Sequence, residues 1–126
     1  MIYWAPLLHF YQPPTQSRDI LAKICDESYR PLIEVFMDHP ESRVAVNMCG
    51  VLTQMLSECG YRDILEGLEE LGKRGQVEFV ESAKFHAILP LIPAKEARRQ
   101  IELNKKTNLH FFKDSYKPRG FFLPEM

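Results

Sequence analysis

The side chains best suited to chemistry in this sequence stand where short β-rich runs end and loops begin. In parallel α/β architectures, those positions form the functional edge of the sheet. They carry polar groups able to bind hydroxyls, together with carboxylates: His9, Tyr11, Gln12, Asn47, Glu78, Glu81, His86 and Glu125. We therefore expect these groups to gather at one edge of the fold.

Metal and phosphate chemistry have no clear signature here. The four histidines are scattered along the chain, at His9, His39, His86 and His110. The cysteines lack the close pairing typical of structural zinc sites. The glycine-flanked basic run at 72–75 is typical of a helix exit rather than of a phosphate-binding loop. We therefore expect no metal and no other cofactor.

The elements that must position these groups alternate between β-rich and amphipathic runs, which predicts a parallel sheet. Strands are expected at 2–10, 43–47, 77–80 and 120–123. Helices are expected at 18–37, after Gly50 as far as Gly60, at 62–73 and at 94–111, with Pro31 dividing the first helix in two. Trp4 is expected in the core, and Asn47 is expected to cap the turn after the second strand.

The composition and charge of the chain limit the kinds of partner and cellular location that can be expected. The chain has 126 residues, 26% of them charged, and a formal net charge of -1. That near-neutral balance argues against a nucleic-acid or anionic-membrane surface, and no apolar run approaches the roughly 20 residues that span a bilayer. An odd number of cysteines, Cys25, Cys49 and Cys59, suits reduced thiols in a cytoplasm. A strand beginning near Gly120 has no following crossover, which predicts the first half of a larger unit.

Three motifs carry a family resemblance. The run from His9 to Pro13 resembles the His-x-His-Gln-Pro opening of glycoside hydrolase family 57, with Tyr11 in place of the second histidine. Gly-Gln-Val-Glu at 75–78 and its continuation at 82–93 resemble the second region of that family. Gly-Phe-Phe-Leu-Pro-Glu-Met at 120–126 resembles the third region, whose glutamate is the catalytic nucleophile. The motifs occur in the family order and cover nearly the whole chain.

The resemblance implies an α/β fold, namely the N-terminal fragment of a (β/α)7 barrel with about four parallel strands. It implies a retaining enzyme acting on α-glucans, with Glu125 as nucleophile and oligo- or polysaccharide as substrate. By position in the motifs, the implied substrate-binding residues are His9, Gln12, Glu78 and His86. A retaining glycosidase needs a second carboxyl group about 5 to 5.5 Å from the nucleophile. In the family that group is an aspartate in a later region, so residues 1–126 are expected to be an incomplete catalytic domain.

Some interpretations stay open at this point. Tyr11 serves equally well as a packing aromatic or as a stacking platform, and the resemblance fixes no role for Glu81. His9 and His86 also suit structural positions, and Glu78 also suits a solvent-facing one. Family members include amylase-like, branching and galactosidase activities, which the motifs do not separate. The alternative function is a non-catalytic carbohydrate-binding or assembly fragment that needs a second chain or the missing C-terminal half.

Overall fold

The computed structural model of the protein describes residues 1–2 and 4–124. Three short strands form one parallel sheet in the order β1-β2-β3: β1 Leu7–Phe10, β2 Val44–Met48 and β3 Val77–Val80. Their register places His9, Asn47 and Val80 in one row near the carboxyl ends. The predicted α/β class with parallel strands is confirmed.

Helices connect the strands and cover one face of the sheet. They are α1 Arg18–Ile24, α2 Arg30–Asp38, α3 Gly50–Glu58, α4 Arg62–Lys73 and α5 Ala94–Phe112. The Ser17 side chain caps α1 by accepting from the Ile20 N–H at 3.4 Å. In α4, apolar residues recur at helical spacing and are buried: Ile64, Leu65, Leu68 and Leu71.

The division expected at Pro31 takes a different form. A π-helical segment, Cys25–Tyr29, joins α1 to α2, and backbone angles stay helical through Tyr29 and Arg30. Proline has no N–H to donate and its ring crowds the preceding turn. A wider turn just before Pro31 relieves that conflict without ending the helix.

The two faces of the sheet differ sharply. Alternate residues such as Phe10, Val46 and Phe79 are buried in the core formed with the helices. The intervening residues point to the opposite face, because side chains alternate along a strand. There Leu7 is 42% exposed, and His9 and Glu78 are exposed as well. This second side of the sheet, which we term the open face, lacks a helical layer within the described part of the chain.

Three expectations need correction. The first strand begins at Leu7 rather than at residue 2, and Trp4 is 88% exposed instead of lying in the core. The expected fourth strand at 120–123 is a single parallel bridge between Glu81 and Phe121. Its hydrogen bonds run from Glu81 N–H to the Gly120 carbonyl at 2.9 Å and from Phe122 N–H to the Glu81 carbonyl at 2.8 Å. The segment therefore lies where a fourth strand belongs, with too few bonds to count as one.

Within the described residues, none of the helices combines the length and apolar character needed to cross a bilayer.

Candidate functional site

Four aromatic rings gather at the carboxyl end of the sheet. The His9 ring lies 4.5 Å from the His86 ring and 4.8 Å from Phe122, measured between centroids. The Tyr11 ring lies 4.7 Å from that of His86. We call His9, Tyr11, His86 and Phe122 the ring cluster. It joins the end of β1, the loop after β3 and the segment paired with Glu81, so three separate parts of the sequence build it.

Asn47 orients His9. It is fully buried, and its side-chain oxygen accepts from His9 Nδ1–H at 2.6 Å. Asn47 Nδ2 is buried and has no hydrogen-bond partner within the described part of the chain. The N-cap of α3 is Cys49, so the expectation that Asn47 caps this turn was wrong. Asn47 and His9 occupy the same row of the sheet, which is why their side chains meet.

His86 occupies a backbone conformation that few residues adopt. Its φ is 55°, in the left-handed region, where histidine is more common than most non-glycine residues. Its N–H closes a turn onto the Ala83 carbonyl at 3.2 Å. This turn directs the imidazole back over the sheet edge, where its Nδ1 lies 3.8 Å from Cys49 Sγ. Holding a residue in this region has a cost in free energy, so the position is set by the surrounding contacts.

Cys49 closes the base of the site. Its side chain is fully buried, and burial raises the pKa of the thiol to about 12. The neutral thiol lies 3.7 Å from the Asn47 side-chain oxygen. Burial likewise raises the pKa of Tyr11. The site therefore presents a neutral thiol and a neutral phenol beside two imidazoles.

Glu81 forms a buried polar centre behind the ring cluster. One carboxylate oxygen accepts from Asn104 Nδ2 at 2.5 Å, from Tyr116 O–H at 2.9 Å and from the Ser82 N–H at 3.1 Å. Burial raises the pKa of Tyr116, so its hydroxyl remains a donor. The Glu81 backbone also pairs with the segment that leads to Glu125. Sequence reasoning left this residue without a role.

Helix α5 supplies a row of buried amides, Gln100, Asn104 and Asn108, which we call the amide ladder. Asn104 accepts from the Gly50 N–H at 2.7 Å, and Asn108 donates to the Met48 carbonyl at 2.8 Å. Gln100 accepts from the Phe85 N–H at 3.2 Å. The ladder thereby fixes the loops after β2 and β3 that carry the site. Its four-residue spacing was the sequence signal that could have revealed it.

The remaining predicted site residues lie outside the ring cluster. Gln12 donates to the Tyr29 hydroxyl at 3.2 Å and so contacts the π-helical segment. Glu78 is on the open face, two register positions nearer the amino ends of the strands than His9, or about 7 Å along the strand direction. It lines a surface depression together with Trp4 and Arg43. Glu125, the predicted nucleophile, lies outside the described residues.

Comparison with known proteins decides the family. The model of glycosyl hydrolase family 57 matches residues 6–126. The chain belongs to this family. Alpha-amylase 1 of Dictyoglomus thermophilum is 34% identical over 125 residues, which cover 98% of this chain and 18% of that relative. The 4-alpha-glucanotransferase of Thermococcus litoralis is 31% identical over 94% of this chain and 17% of its own length.

Solved structures of family 57 enzymes share the fold. The crystal structure of the Thermococcus litoralis 4-alpha-glucanotransferase superposes with a TM-score of 0.87 at 30% identity, over 96% of this chain and 19% of that chain. A family 57 branching enzyme from Pyrococcus horikoshii gives a TM-score of 0.80 at 21% identity, over 96% of this chain and 34% of that one. The chain thus spans about a fifth to a third of these relatives, and the predicted N-terminal part of a (β/α)7 barrel is confirmed.

Proposed function

We propose that this chain forms the nucleophile-bearing part of a retaining enzyme that hydrolyses or transfers α-glucans. Membership of family 57 supports the substrate class, since matched relatives are named alpha-amylase and 4-alpha-glucanotransferase. The observation that carries the proposal is the ring cluster at the carboxyl end of the sheet, built from the family motifs. Sites that bind ligands in parallel α/β folds lie at this end.

The proposed reaction is a double displacement. The Glu125 carboxylate attacks the anomeric carbon, the bond to the leaving oxygen breaks, and a glycosyl ester forms on Glu125. A carboxyl group outside these 126 residues protonates the leaving oxygen. It then activates the water or sugar hydroxyl that releases the glycosyl group. Hydrolase and transferase outcomes differ only in that final acceptor.

The ring cluster would hold the sugar beside this nucleophile. His9 and His86 offer imidazole nitrogens to sugar hydroxyls, and the ring of Phe122 offers an apolar surface. Pockets that combine aromatic walls with a few fixed polar groups are typical of small-ligand sites. We propose Gln12, which follows β1, and Glu78, on the open face, as outer sugar contacts.

The deciding experiment replaces the nucleophile in the full-length protein. Glu125→Gln should lower kcat on malto-oligosaccharides by about three orders of magnitude or more, because the amide cannot form the glycosyl ester. The matched control is Glu66→Gln, an exposed glutamate of α4, which should keep the normal rate. A near-normal kcat for the Glu125 variant would refute the assignment.

The 126-residue chain by itself should show no glycosidase turnover, because the second carboxyl group has no counterpart that we can assign in it. The measurement is release of reducing sugar from malto-oligosaccharide by the purified chain. Turnover above the rate of the Glu125→Gln chain would contradict this proposal. We also propose that the rest of the barrel, or a second chain, completes the catalytic domain. The proposed location of the protein is the cytoplasm.

A further inference from the structure

The fold assembles three metal-ligand types that are far apart in sequence. His9, Cys49 and His86 each offer one donor atom, and these atoms lie within 4.8 Å of one another. His9 lies on β1, Cys49 follows β2 and His86 follows β3. His9 and His86 are far apart in the sequence but close together in the structure, so the expectation that the histidines are scattered was wrong for these two. The parallel sheet brings their positions to one edge.

The distances approach those of a metal centre. With zinc–sulfur and zinc–nitrogen bonds of about 2.3 and 2.0 Å, tetrahedral geometry separates the sulfur and a nitrogen by about 3.5 Å. Cys49 Sγ and His86 Nδ1 are already 3.8 Å apart. The donor atoms lie up to 4.8 Å apart, so side-chain movements must close the wider separations by as much as about 1.5 Å to match this geometry.

We propose that His9, Cys49 and His86 form a binding site for a borderline-soft divalent cation such as Zn²⁺ or Co²⁺. Nitrogen and sulfur donors select such ions over Mg²⁺ and Ca²⁺, which prefer oxygen ligands. Three protein ligands leave a fourth position for water or a small ligand.

Neighbouring groups hold the donors in place. Asn47 fixes the His9 ring through the 2.6 Å hydrogen bond and also lies 3.7 Å from the thiol. Such outer partners orient ligands in metal sites. The backbone turn at His86 and the position of Cys49 at the start of α3 fix the other two. His9 is exposed, so its imidazole can be reached by a cation from solvent. On binding, the Cys49 thiol releases its proton to solvent and its sulfur becomes the thiolate ligand.

The site overlaps the proposed sugar contacts, because His9 and His86 serve both. Cation and sugar should therefore exclude each other. This competition rests on the proposed function, whereas cation binding does not. If malto-oligosaccharide leaves the apparent Kd for Co²⁺ in the full-length protein unchanged, competition is refuted while the metal site stands.

The test is a Co²⁺ titration of the metal-stripped full chain, followed by the near-ultraviolet absorption that a cobalt–thiolate bond produces. One equivalent of Co²⁺ should generate this absorption, and Zn²⁺ should abolish it by displacement. Cys49→Ser should remove the absorption, and His9→Ala or His86→Ala should raise the Kd at least tenfold. The matched controls are Cys25→Ser and Cys59→Ser, which should bind like the unaltered chain.

Absence of the absorption in the unaltered chain would overturn the proposal. So would its persistence in Cys49→Ser, or its loss in Cys59→Ser with Cys49 intact. Circular dichroism checks that each variant is folded. If Cys49→Ser is unfolded, His86→Gln decides: an unchanged Kd in that folded variant overturns the site, and a tenfold rise supports it.

Discussion

At the scale of single residues, the Glu81 carboxylate combines burial with several hydrogen bonds. It is only 9% exposed, and one of its oxygens receives three hydrogen bonds. Burying a charge is costly unless donors compensate for the lost hydration. The donors come from the adjacent backbone, from α5 and from Tyr116, so the carboxylate links three parts of the chain next to the ring cluster.

Tyr116→Phe should therefore destabilise the protein by about 2 kcal/mol, the range for a hydrogen bond to a charged group. The matched control is Tyr29→Phe, which removes a hydroxyl bonded to the neutral Gln12 amide at 3.2 Å. That change should cost about 1 kcal/mol or less. Urea unfolding of the full chain measures both. Equal losses for the two variants would show that the Glu81 carboxylate adds nothing to the Tyr116 bond.

The sequence could reveal some residues of the candidate site, whereas others could be found only from the fold. His9 and His86 were predicted because they stand in motifs at strand ends, and the fold brings their rings together. Asn47 was assigned to a cap because sequence shows local neighbours only. Its true partner, His9, is 38 residues away and meets it through strand register. Cys49 was expected to be a reduced thiol and is one, and its contacts with Asn47 and His86 likewise arise from the fold.

At the scale of elements, α5 supports the loops beside the sheet through buried polar side chains. Three of its four buried residues are amides, the fourth being Phe112, and these amides satisfy backbone groups of the loops beside the sheet. Buried polar networks are stabilising only when each member is bonded. Loss of one amide therefore leaves other buried groups without partners.

Asn104→Ala should destabilise the protein by about 3 kcal/mol, because it removes bonds to both the Gly50 N–H and the Glu81 carboxylate. Lys105→Ala, at the exposed neighbouring position of the same helix, should change the free energy of unfolding by about 0.5 kcal/mol or less. Thermal or urea unfolding distinguishes the two. A loss of unfolding free energy below about 1 kcal/mol for Asn104→Ala would contradict the role of α5 in supporting these loops.

Most elements followed from local pattern. The third strand, 77–80, and the helix at 62–73 were predicted with the bounds that the structure shows. The apolar run at 120–123 predicted a strand, yet a strand also needs partners. Within the described residues its backbone bonds only with Glu81. The π-helical segment before Pro31 was not predicted, because a proline usually marks the boundary of a helix.

At the scale of the whole molecule, the fold is layered on one side of the sheet. Helices bury the face that carries Phe10, Val46 and Phe79, whereas the open face carries the ring cluster and Glu78. In a closed (β/α) barrel, the face opposite the helices is filled by side chains from the other strands. The matched relatives are three to six times longer than the part that this chain spans.

The open face makes a prediction for the 126-residue chain studied alone. Leu7, Phe121 and Leu123 are each between 42% and 47% exposed, which leaves apolar surface at the sheet face and its edge. Such surface favours association, since burying it gains about 25 cal/mol per Å². Sedimentation velocity should therefore show concentration-dependent self-association of the chain.

Leu7→Glu should weaken that association at least tenfold while leaving helix content unchanged, because Leu7 lies outside the helix-packed core. Val35→Glu alters a somewhat more exposed apolar side chain on α2 and should leave association unchanged. A monomer at all concentrations, or equal effects of the two variants, would show that the open face does not drive assembly.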